Sequence, residues 1–157
     1  MITSLITRIF NWQDRLLGQL HLFDNPALLF ARLYVAEVFF RSGLTKINDW
    51  DSTLYLFSEE YHVPILPPEV AAYMGTGGEL ILPVLLFFGI LGRFSALGLL
   101  ILNIVAVMSL SDMSPAALGQ HVLWGALLTA LAIWGVGKLS LDTLLQRWFT
   151  ASPMPIN

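Results

Sequence analysis

Four apolar stretches, each long enough to cross a bilayer, constrain this sequence more than any other feature. A helix needs about 20 mostly apolar residues to span the hydrocarbon core. The stretches cover residues 26–47, 68–91, 93–110 and 115–136. Only 12% of the 157 residues are charged, against about 25% in a typical soluble domain. The sequence therefore predicts an all-α, polytopic membrane four-helix bundle within a single membrane domain, 1–157.

Amphipathic segments flank the four predicted spans. Residues 2–20 place apolar side chains at helical spacing, with Arg8 and Asp14 among the polar positions that interrupt them. Residues 139–149 place Leu141, Leu144, Leu145 and Trp148 on one side of a helix. Such patterns are typical of helices that lie in the headgroup layer. We therefore expect an interfacial helix over 2–20 and a cytoplasmic amphipathic tail over 139–149.

The basic residues predict the orientation of the chain. Arg8 and Arg15 precede the first span, and Arg93 lies in the connection between the second and third spans. Lys138 and Arg147 follow the last span. The opposite side has only Lys46, at a span end. By the positive-inside rule, both termini face the cytoplasm.

The long connection 48–67 then faces outward, which in a bacterium is the periplasm. It contains a predicted short helix over 53–61, interfacial aromatic residues and a stiff apolar strap over 63–68. We expect this connection to lie on the membrane as a lid and to be the surface for a protein partner.

Composition excludes several kinds of site. The absence of cysteine excludes disulfides, Fe–S ligation and a cysteine nucleophile within the chain. No basic patch exists for nucleic acid. No histidine or acidic pair has typical metal-ligand spacing, so no metal site is predicted, and bis-His haem ligation would need a second histidine in a span beside His121. The glycine-rich run 75–78 lacks the Lys and Ser/Thr of a phosphate loop, which excludes nucleotide binding.

Six polar residues within the spans are the candidate functional residues. Charges inside a span are costly, so each needs a partner or a water-filled site. Helical rise places Glu37 and Glu79 roughly 16 Å from the starts of their spans, near the midplane of the bilayer. The six candidates are Glu37, Arg41, Lys46, Glu79, Asn103 and His121. We expect all of them except Lys46, which lies at the outer end of its span, to converge in the outer half of the bundle beneath the lid.

Two interpretations of this predicted cluster stay open. The charges can simply fix helix register and topology, or they can form a polar pocket for a headgroup or a proton path. We expect Glu79 to bridge Arg41 or Lys46 on the neighbouring helix, and Asn103 to make an interhelical hydrogen bond. His121 can be a hydrogen-bonded packing residue, or it can bind a quinone carbonyl or pass a proton.

Several motifs give the sequence a family resemblance. They are Phe39-Phe40-Arg41-Ser42-Gly43-Leu44-Thr45-Lys46, Gly78-Glu79-Leu80, Gly92-Arg93-Phe94-Ser95-Ala96-Leu97 and Gly135-Val136-Gly137-Lys138-Leu139-Ser140-Leu141-Asp142. With them the chain resembles the DoxX family of small four-span membrane proteins from Pro26 to Leu145. The last motif departs from the commoner Gly-Pro-Gly-Arg form at Val136 and Lys138. Arg41, Lys46 and Glu79 match the family pattern, and His121 falls where a histidine in span four is common.

The resemblance implies a protein of the bacterial inner membrane. Some relatives are subunits of thiosulfate:quinone oxidoreductase, and others are tied to oxidative-stress defence. Residues 55–69 and 79–83 resemble a subgroup encoded beside copper-responsive peptide-modification systems. Because the family has no agreed catalytic set, the fold transfers well and the activity poorly.

Two functional hypotheses follow, with a third behind them. The first is a quinone-linked redox subunit, in which Glu79 and His121 handle protons, Arg41, Glu37, Lys46 and Asn103 bind the cofactor, and a partner supplies electrons. Whether the chain is itself a subunit of a quinone-dependent oxidoreductase stays open. The second is a non-catalytic membrane anchor or scaffold for a periplasmic partner in copper or redox-stress handling. A transporter is the third, and it would require a homo-oligomer because four spans are few.

Overall fold

The computed structural model describes Trp12, Gly18 and residues 22–150. Between residues 22 and 150 the chain forms six α-helices and no β-strand, so the all-helical prediction is confirmed for this part. The helices are α1 (Asp24–Asn48), α2 (Trp50–Glu59), α3 (Pro68–Phe88), α4 (Gly92–Ser109), α5 (Pro115–Trp134) and α6 (Leu141–Thr150). Apart from Trp12 and Gly18, the predicted N-terminal interfacial helix, 2–20, lies outside the described residues.

Local sequence explains where the long helices begin and end. Pro115 opens α5, and the Ser114 side chain accepts a hydrogen bond from the Ala117 amide as an N-cap. Pro68 opens α3, which ends where Gly89 takes a left-handed conformation with φ of 67°. The short helix predicted in the outer connection is present as α2, although it begins three residues earlier than expected.

Three of the described helices, α3, α4 and α5, are long and apolar enough to cross a membrane. The first helix has the length, at 25 residues, but it is not among these three because charged residues lower its hydropathy. Those residues are Asp24, Arg32, Glu37, Arg41 and Lys46. The three apolar helices confirm that this is a membrane protein.

The four long helices contact one another in a ring. α1 packs against α3 and α5, and α4 packs against the same two helices. Each long helix contributes to the main core, whose fully buried members include Val35 of α1, Leu86 of α3, Leu99 of α4 and Leu131 of α5. A second, smaller core forms where Phe57 of α2 packs on the beginning of α3. Every described helix except α6 therefore contributes to one of the two cores.

The outer surface of the ring is apolar as well as its core. Large apolar side chains of α3, α4 and α5 are exposed, including Ile81, Phe87, Phe88, Phe94, Leu97, Ile101, Ile104, Met108, Val122, Leu123 and Ile133. Soluble monomers rarely expose contiguous apolar patches larger than a few hundred Å². Lipid is the solvent that matches such a surface.

Candidate functional site

The four long helices have two common ends. We call the end next to α2 and the turn 110–114 the α2 end, and the other end, next to α6, the α6 end. α1 and α3 join at the α2 end through an ion pair between Lys46 and Glu79. The two side chains are only 20% and 14% exposed. Lys46 Nζ also donates to Ser42 Oγ, at 3.0 Å. The structure therefore selects Lys46, of the two predicted alternatives, as the partner of Glu79.

A glycine allows the two helices to come close at this ion pair. A Cβ atom on Gly43 would lie 2.9 Å from two side-chain atoms of Leu80 and 3.2 Å from the backbone carbon of Glu79. Only a residue without a side chain fits that space without a shift of the neighbouring helix. Gly43, in α1, thus holds the backbone of Glu79 near the helix that carries Lys46.

A cavity of about 410 Å³ lies beside the ion pair, between α1 and α2. Its lining is mostly polar at the α1 side and includes apolar side chains of α2. The lining residues are Ser42, Thr45, Lys46, Asp49, Ser52, Thr53, Leu56, Phe57 and Tyr61. Several of these residues come from the outer connection, and nothing in the spacing of the spans had singled them out.

Tyr61 places a phenol at the edge of this cavity, just beyond the end of α2. Burial raises the pKa of Tyr61, and the negative charges of Glu60 and Glu79 raise it further. The phenol is therefore kept as a neutral hydroxyl that can donate a hydrogen bond. Its ring packs edge-on against Phe57, with ring centres 5.1 Å apart.

The connection that carries α2 is tied to the ends of two other helices. The Thr53 hydroxyl donates to the Lys46 carbonyl at 2.9 Å. The His62 amide donates to the Ser109 carbonyl, at the end of α4, also at 2.9 Å. These bonds hold residues 50–62 across the α2 end of the ring.

Two predicted site residues, Glu37 and Arg41, lie apart from the cavity. They form an (i, i+4) ion pair of 2.8 Å on the surface of α1, where their side chains are 59% and 77% exposed. Their common helix face was predicted, and it points away from the core. Neither residue lines the cavity beside Lys46.

Asn103 and His121 form a third, separate pair that joins α4 to α5. Asn103 Nδ2 donates to the His121 carbonyl at 3.0 Å, and Asn103 Oδ1 lies 2.8 Å from His121 Nδ1. The imidazole also packs edge-on against Trp124, whose Nε1 lies 3.4 Å from the Tyr34 hydroxyl of α1. The predicted interhelical hydrogen bond of Asn103 is confirmed, and the six candidates fall into three pairs rather than one cluster.

Arg32 anchors a different network at the α6 end. Its side chain is 4% exposed, and it donates to the Val136 carbonyl at 3.3 Å and the Leu139 carbonyl at 2.9 Å. Its Nε is buried without a partner among the described residues. Arg32 is therefore fixed inside the protein instead of reaching out to the headgroup layer.

Asp142 and Asn25 complete the network at the α6 end. Both oxygens of the Asp142 carboxylate accept backbone amides at the start of α4, from Leu91 at 3.1 Å and Gly92 at 3.0 Å. Asn25 Oδ1 accepts the Lys138 amide at 2.9 Å. The motif 135–142 thus links the beginnings of α1, α4 and α6 to the end of α5.

No group of three or more His, Cys, Asp or Glu able to hold a metal ion occurs among the described residues. The polar sites described above are ion pairs and hydrogen bonds within α1, between helices, and between helices and the segments that connect them. Together with the apolar exterior, they define an α-helical integral membrane protein.

The chain belongs to the DoxX family, because the DoxX family model matches residues 27–112. It is also 36% identical over 133 residues to an uncharacterized protein of Haemophilus influenzae, an alignment that covers 79% of this chain and 86% of that relative. No solved structure matches the chain. The family resemblance seen in the sequence motifs is thereby confirmed.

Proposed function

We propose that the protein crosses the bacterial inner membrane four times, with α1 as the first crossing and α2 as part of a periplasmic lid. At 1.5 Å per residue, α1 is roughly 37 Å long, enough for the hydrocarbon core. The packing of α1 between α3 and α5 supports the proposal. So do the partners of its charges, since Arg32, Glu37, Arg41 and Lys46 all have one.

The proposed orientation follows the distribution of charge between the two ends. Arg93, Lys138 and Arg147 lie at the α6 end. The α2 end carries mainly acids, namely Asp49, Asp51, Glu59, Glu60, Glu69 and Asp112. The positive-inside rule then assigns the α6 end to the cytoplasm and the α2 end to the periplasm.

The proposed activity is that of a quinone-linked redox subunit, with the headgroup bound in the cavity beside Lys46 and Glu79. The observation that carries it is a mostly buried ion pair next to a 410 Å³ cavity with aromatic and polar walls. Ligand pockets for small molecules commonly measure about 300–1,000 Å³. A single aromatic headgroup fits the volume, and its isoprenoid chain would leave towards the lipid.

The side chains around the cavity suit the two oxygens of such a headgroup. The Lys46 ammonium and the Tyr61 hydroxyl are donors, and Phe57 offers an apolar ring wall. A bound quinone supplies a group that takes up two electrons and two protons to become a quinol. The electrons come from a partner protein that oxidises a sulfur compound or another reductant, because this chain has no cysteine.

Glu79 is assigned to hold the proton in this proposal. Glu79 does not line the cavity itself, but it pairs with Lys46, which does, and a carboxylate in that position can act as a general acid or base for a bound ligand. Lys46 orients the carboxylate and balances its charge. His121 and Asn103, paired with each other between α4 and α5, are assigned to packing, and Glu37 and Arg41 to the outer surface.

The test is to identify the small molecules that copurify with the protein. The protein is isolated in native lipid particles, extracted, and analysed by mass spectrometry beside Glu79→Gln and the matched control Glu37→Gln, each of which removes one carboxylate. We expect about one quinone per chain in the wild type and in Glu37→Gln, and a loss of at least tenfold in Glu79→Gln. The milder Tyr61→Phe variant, which should keep the fold, is expected to retain several-fold less quinone than wild type.

Well-folded wild type without enriched quinone would overturn the proposal. Equal loss in Glu37→Gln and Glu79→Gln would also contradict the assigned site, because Glu79 pairs with Lys46 of the cavity lining whereas Glu37 pairs with Arg41, which is not part of it. Circular dichroism and size-exclusion chromatography check that every variant compared is folded.

A second candidate, a membrane scaffold, is favoured by the surface of the outer connection. Ile65 is fully exposed, at 101%, and has a left-handed backbone with φ of 72°. Tyr55 is also 64% exposed, and acidic residues surround the α2 end. A periplasmic partner in copper or redox-stress handling would use this surface. Its complex should survive Glu79→Gln and be lost on Ile65→Asp, whereas the quinone-linked function predicts the opposite sensitivities.

A further inference from the structure

A cavity of about 610 Å³ at the α6 end is lined by two cations, Arg93 and Lys138. It lies between the start of α4, the segment after α5, and α6. Both side chains are exposed, and neither forms an ion pair or a side-chain hydrogen bond with the residues that the structure describes. Two positive charges therefore share one concave surface without a bound anion from residues 22–150.

The backbone holds both cations at this cavity. A Cβ on Gly135 would lie 3.5 Å from Arg93 Nε and 3.8 Å from Nη2, so the guanidinium lies across the Gly135 backbone. Lys138 leaves a segment fixed by the hydrogen bond from its amide to Asn25 Oδ1. The fold therefore places the Arg93 guanidinium beside Gly135 and fixes the backbone from which the exposed Lys138 side chain extends.

One carboxylate, that of Asp142, also lines the cavity. Both of its oxygens are occupied by the amides of Leu91 and Gly92, at the start of α4. Two cations and one carboxylate leave the lining with one net positive charge. An anionic group in the cavity would therefore be attracted, and it would find donors that are not already in use.

The border of the same cavity is apolar. Leu91, Phe94 and Trp134 line it and are 59%, 64% and 69% exposed. The adjacent helix α6 exposes a further apolar set consisting of Leu141, Leu144, Leu145 and Trp148. Cations beside a continuous apolar surface match an amphiphile, which has an anionic head and hydrocarbon tails.

We propose that this cavity binds the phosphate headgroup of an anionic phospholipid, with Arg93 and Lys138 on the phosphate. The acyl chains lie along Phe94 and Trp134, and α6 rests in the headgroup layer beside the bound lipid. An arginine guanidinium suits this role because its planar fork matches phosphate geometry. The lipid is a structural ligand that ties α4, the end of α5 and α6 to the membrane surface.

The experiment is native mass spectrometry of the full chain released from particles that contain phosphatidylglycerol and phosphatidylcholine in equal amounts. Wild type should retain one phosphatidylglycerol in preference to phosphatidylcholine. Each basic residue near an anionic surface contributes about a fivefold gain in binding. Arg93→Gln and Lys138→Gln should each weaken phosphatidylglycerol retention about fivefold, and the double variant about 30-fold.

A charge-conserving double variant, Arg93→Lys with Lys138→Arg, is the matched control and should retain the lipid within about threefold of wild type. Equal retention of the two lipids by wild type, or unchanged retention in the double Gln variant, would overturn the proposal. Millimolar inorganic phosphate is added in a separate arm. Displacement of the lipid by phosphate alone would show that the site recognises a free anion and would overturn the assignment to phospholipid.

Discussion

Helix α1 carries one buried cation, Arg32, and one partly buried cation, Lys46, and their charges meet different kinds of partner. At the α2 end, Lys46 faces the carboxylate of Glu79. At the α6 end, Arg32 faces the backbone carbonyls of Val136 and Leu139, and no described carboxylate forms an ion pair with it. Lys46 thus has an oppositely charged partner, whereas Arg32 has only the dipoles of neutral backbone carbonyls.

This difference separates an ion pair from a link made only to neutral carbonyls. The proposed function assigns proton transfer to the ion pair. A guanidinium stays charged at any relevant pH, and it presents a rigid fork of donors. Arg32 is therefore a permanent structural link, whereas Lys46 and Glu79 are the pair to which the proposed function assigns proton transfer.

The largest expected effect is at the permanent link. Arg32→Met leaves one buried and one partly buried carbonyl without this donor, and we expect it to lower the free energy of unfolding by about 3 kcal/mol. The measurement is reversible unfolding in mixed micelles. Arg32→Lys should recover only part of the loss because one ammonium cannot serve both carbonyls in the same geometry. A loss under about 1 kcal/mol for Arg32→Met would contradict the role of Arg32 as a structural link that differs from the Lys46–Glu79 pair.

The ion pair should respond differently when both partners are changed. We expect Glu79→Leu alone to cost about 3 kcal/mol, since it leaves a mostly buried ammonium unpaired. The double variant with Lys46→Met and Glu79→Leu should unfold within about 1 kcal/mol of wild type, because packed apolar groups replace a buried pair well. A double-mutant cycle measured by the same unfolding assay tests this. If the losses of the two single variants simply added in the double variant, the difference proposed between Lys46 and Arg32 would be contradicted.

The sequence predicted much of this arrangement and missed a specific part. Span periodicity gave the long helices to within a few residues, and the (i, i+4) spacing gave the Glu37–Arg41 pair. Depth alone suggested that five polar residues meet, but depth does not define the rotation of each helix about its axis. Rotation turns Glu37 outward and directs Asn103 towards His121. The cavity residues Thr53 and Tyr61 were not predicted as site residues, because the predicted short helix in the outer connection does not define how that helix packs on α1.

The bonds at the α6 end were beyond sequence reasoning for a related reason. The carbonyls that Arg32 meets belong to the backbone, so no residue type marks them. The motif 135–142 was visible in the sequence, and its Gly135 and Gly137 do occupy positive φ angles of 88° and 82°. The use of Asp142 as the cap of another helix became apparent only from the fold.

Gly43 provides a smaller test of the contact between α1 and α3 at the α2 end. Gly43→Ala places a methyl group against Leu80 and the Glu79 backbone, and we expect a cost of about 1–2 kcal/mol from overpacking. Gly77→Ala is the matched control in α3, because nothing lies within 4 Å of its Cβ position, and it should be neutral or stabilising by up to about 1 kcal/mol. Thermal unfolding in detergent compares them. Equal effects at the two glycines would show that α1 and α3 need no close contact beside Lys46.

The smallest effect concerns Asp49, which caps α2 beside the cavity. The Ser52 hydroxyl and then the Ser52 amide, donating at 2.7 and 3.0 Å, hold the pKa of Asp49 below its usual value. Because the pKa is lowered in the folded state, the cap is fully formed above the unfolded value of about 3.9 and is lost as pH falls through the folded value. NMR titration of the carboxyl carbon should show Ser52→Ala moving the pKa upward. An unchanged pKa would mean that Ser52 does not stabilise the carboxylate.

The bonds of Arg32 also bear on the order in which the chain is assembled. Arg32 is made early, but its acceptors lie 104 and 107 residues later. At about 5–20 residues per second, the ribosome reaches them roughly 5–20 s after it has made Arg32. During that interval the least apolar long helix has no partner for its guanidinium. Final packing of α1 therefore waits until the segment 136–139 has been made, so that residues after the fourth long helix complete the first one.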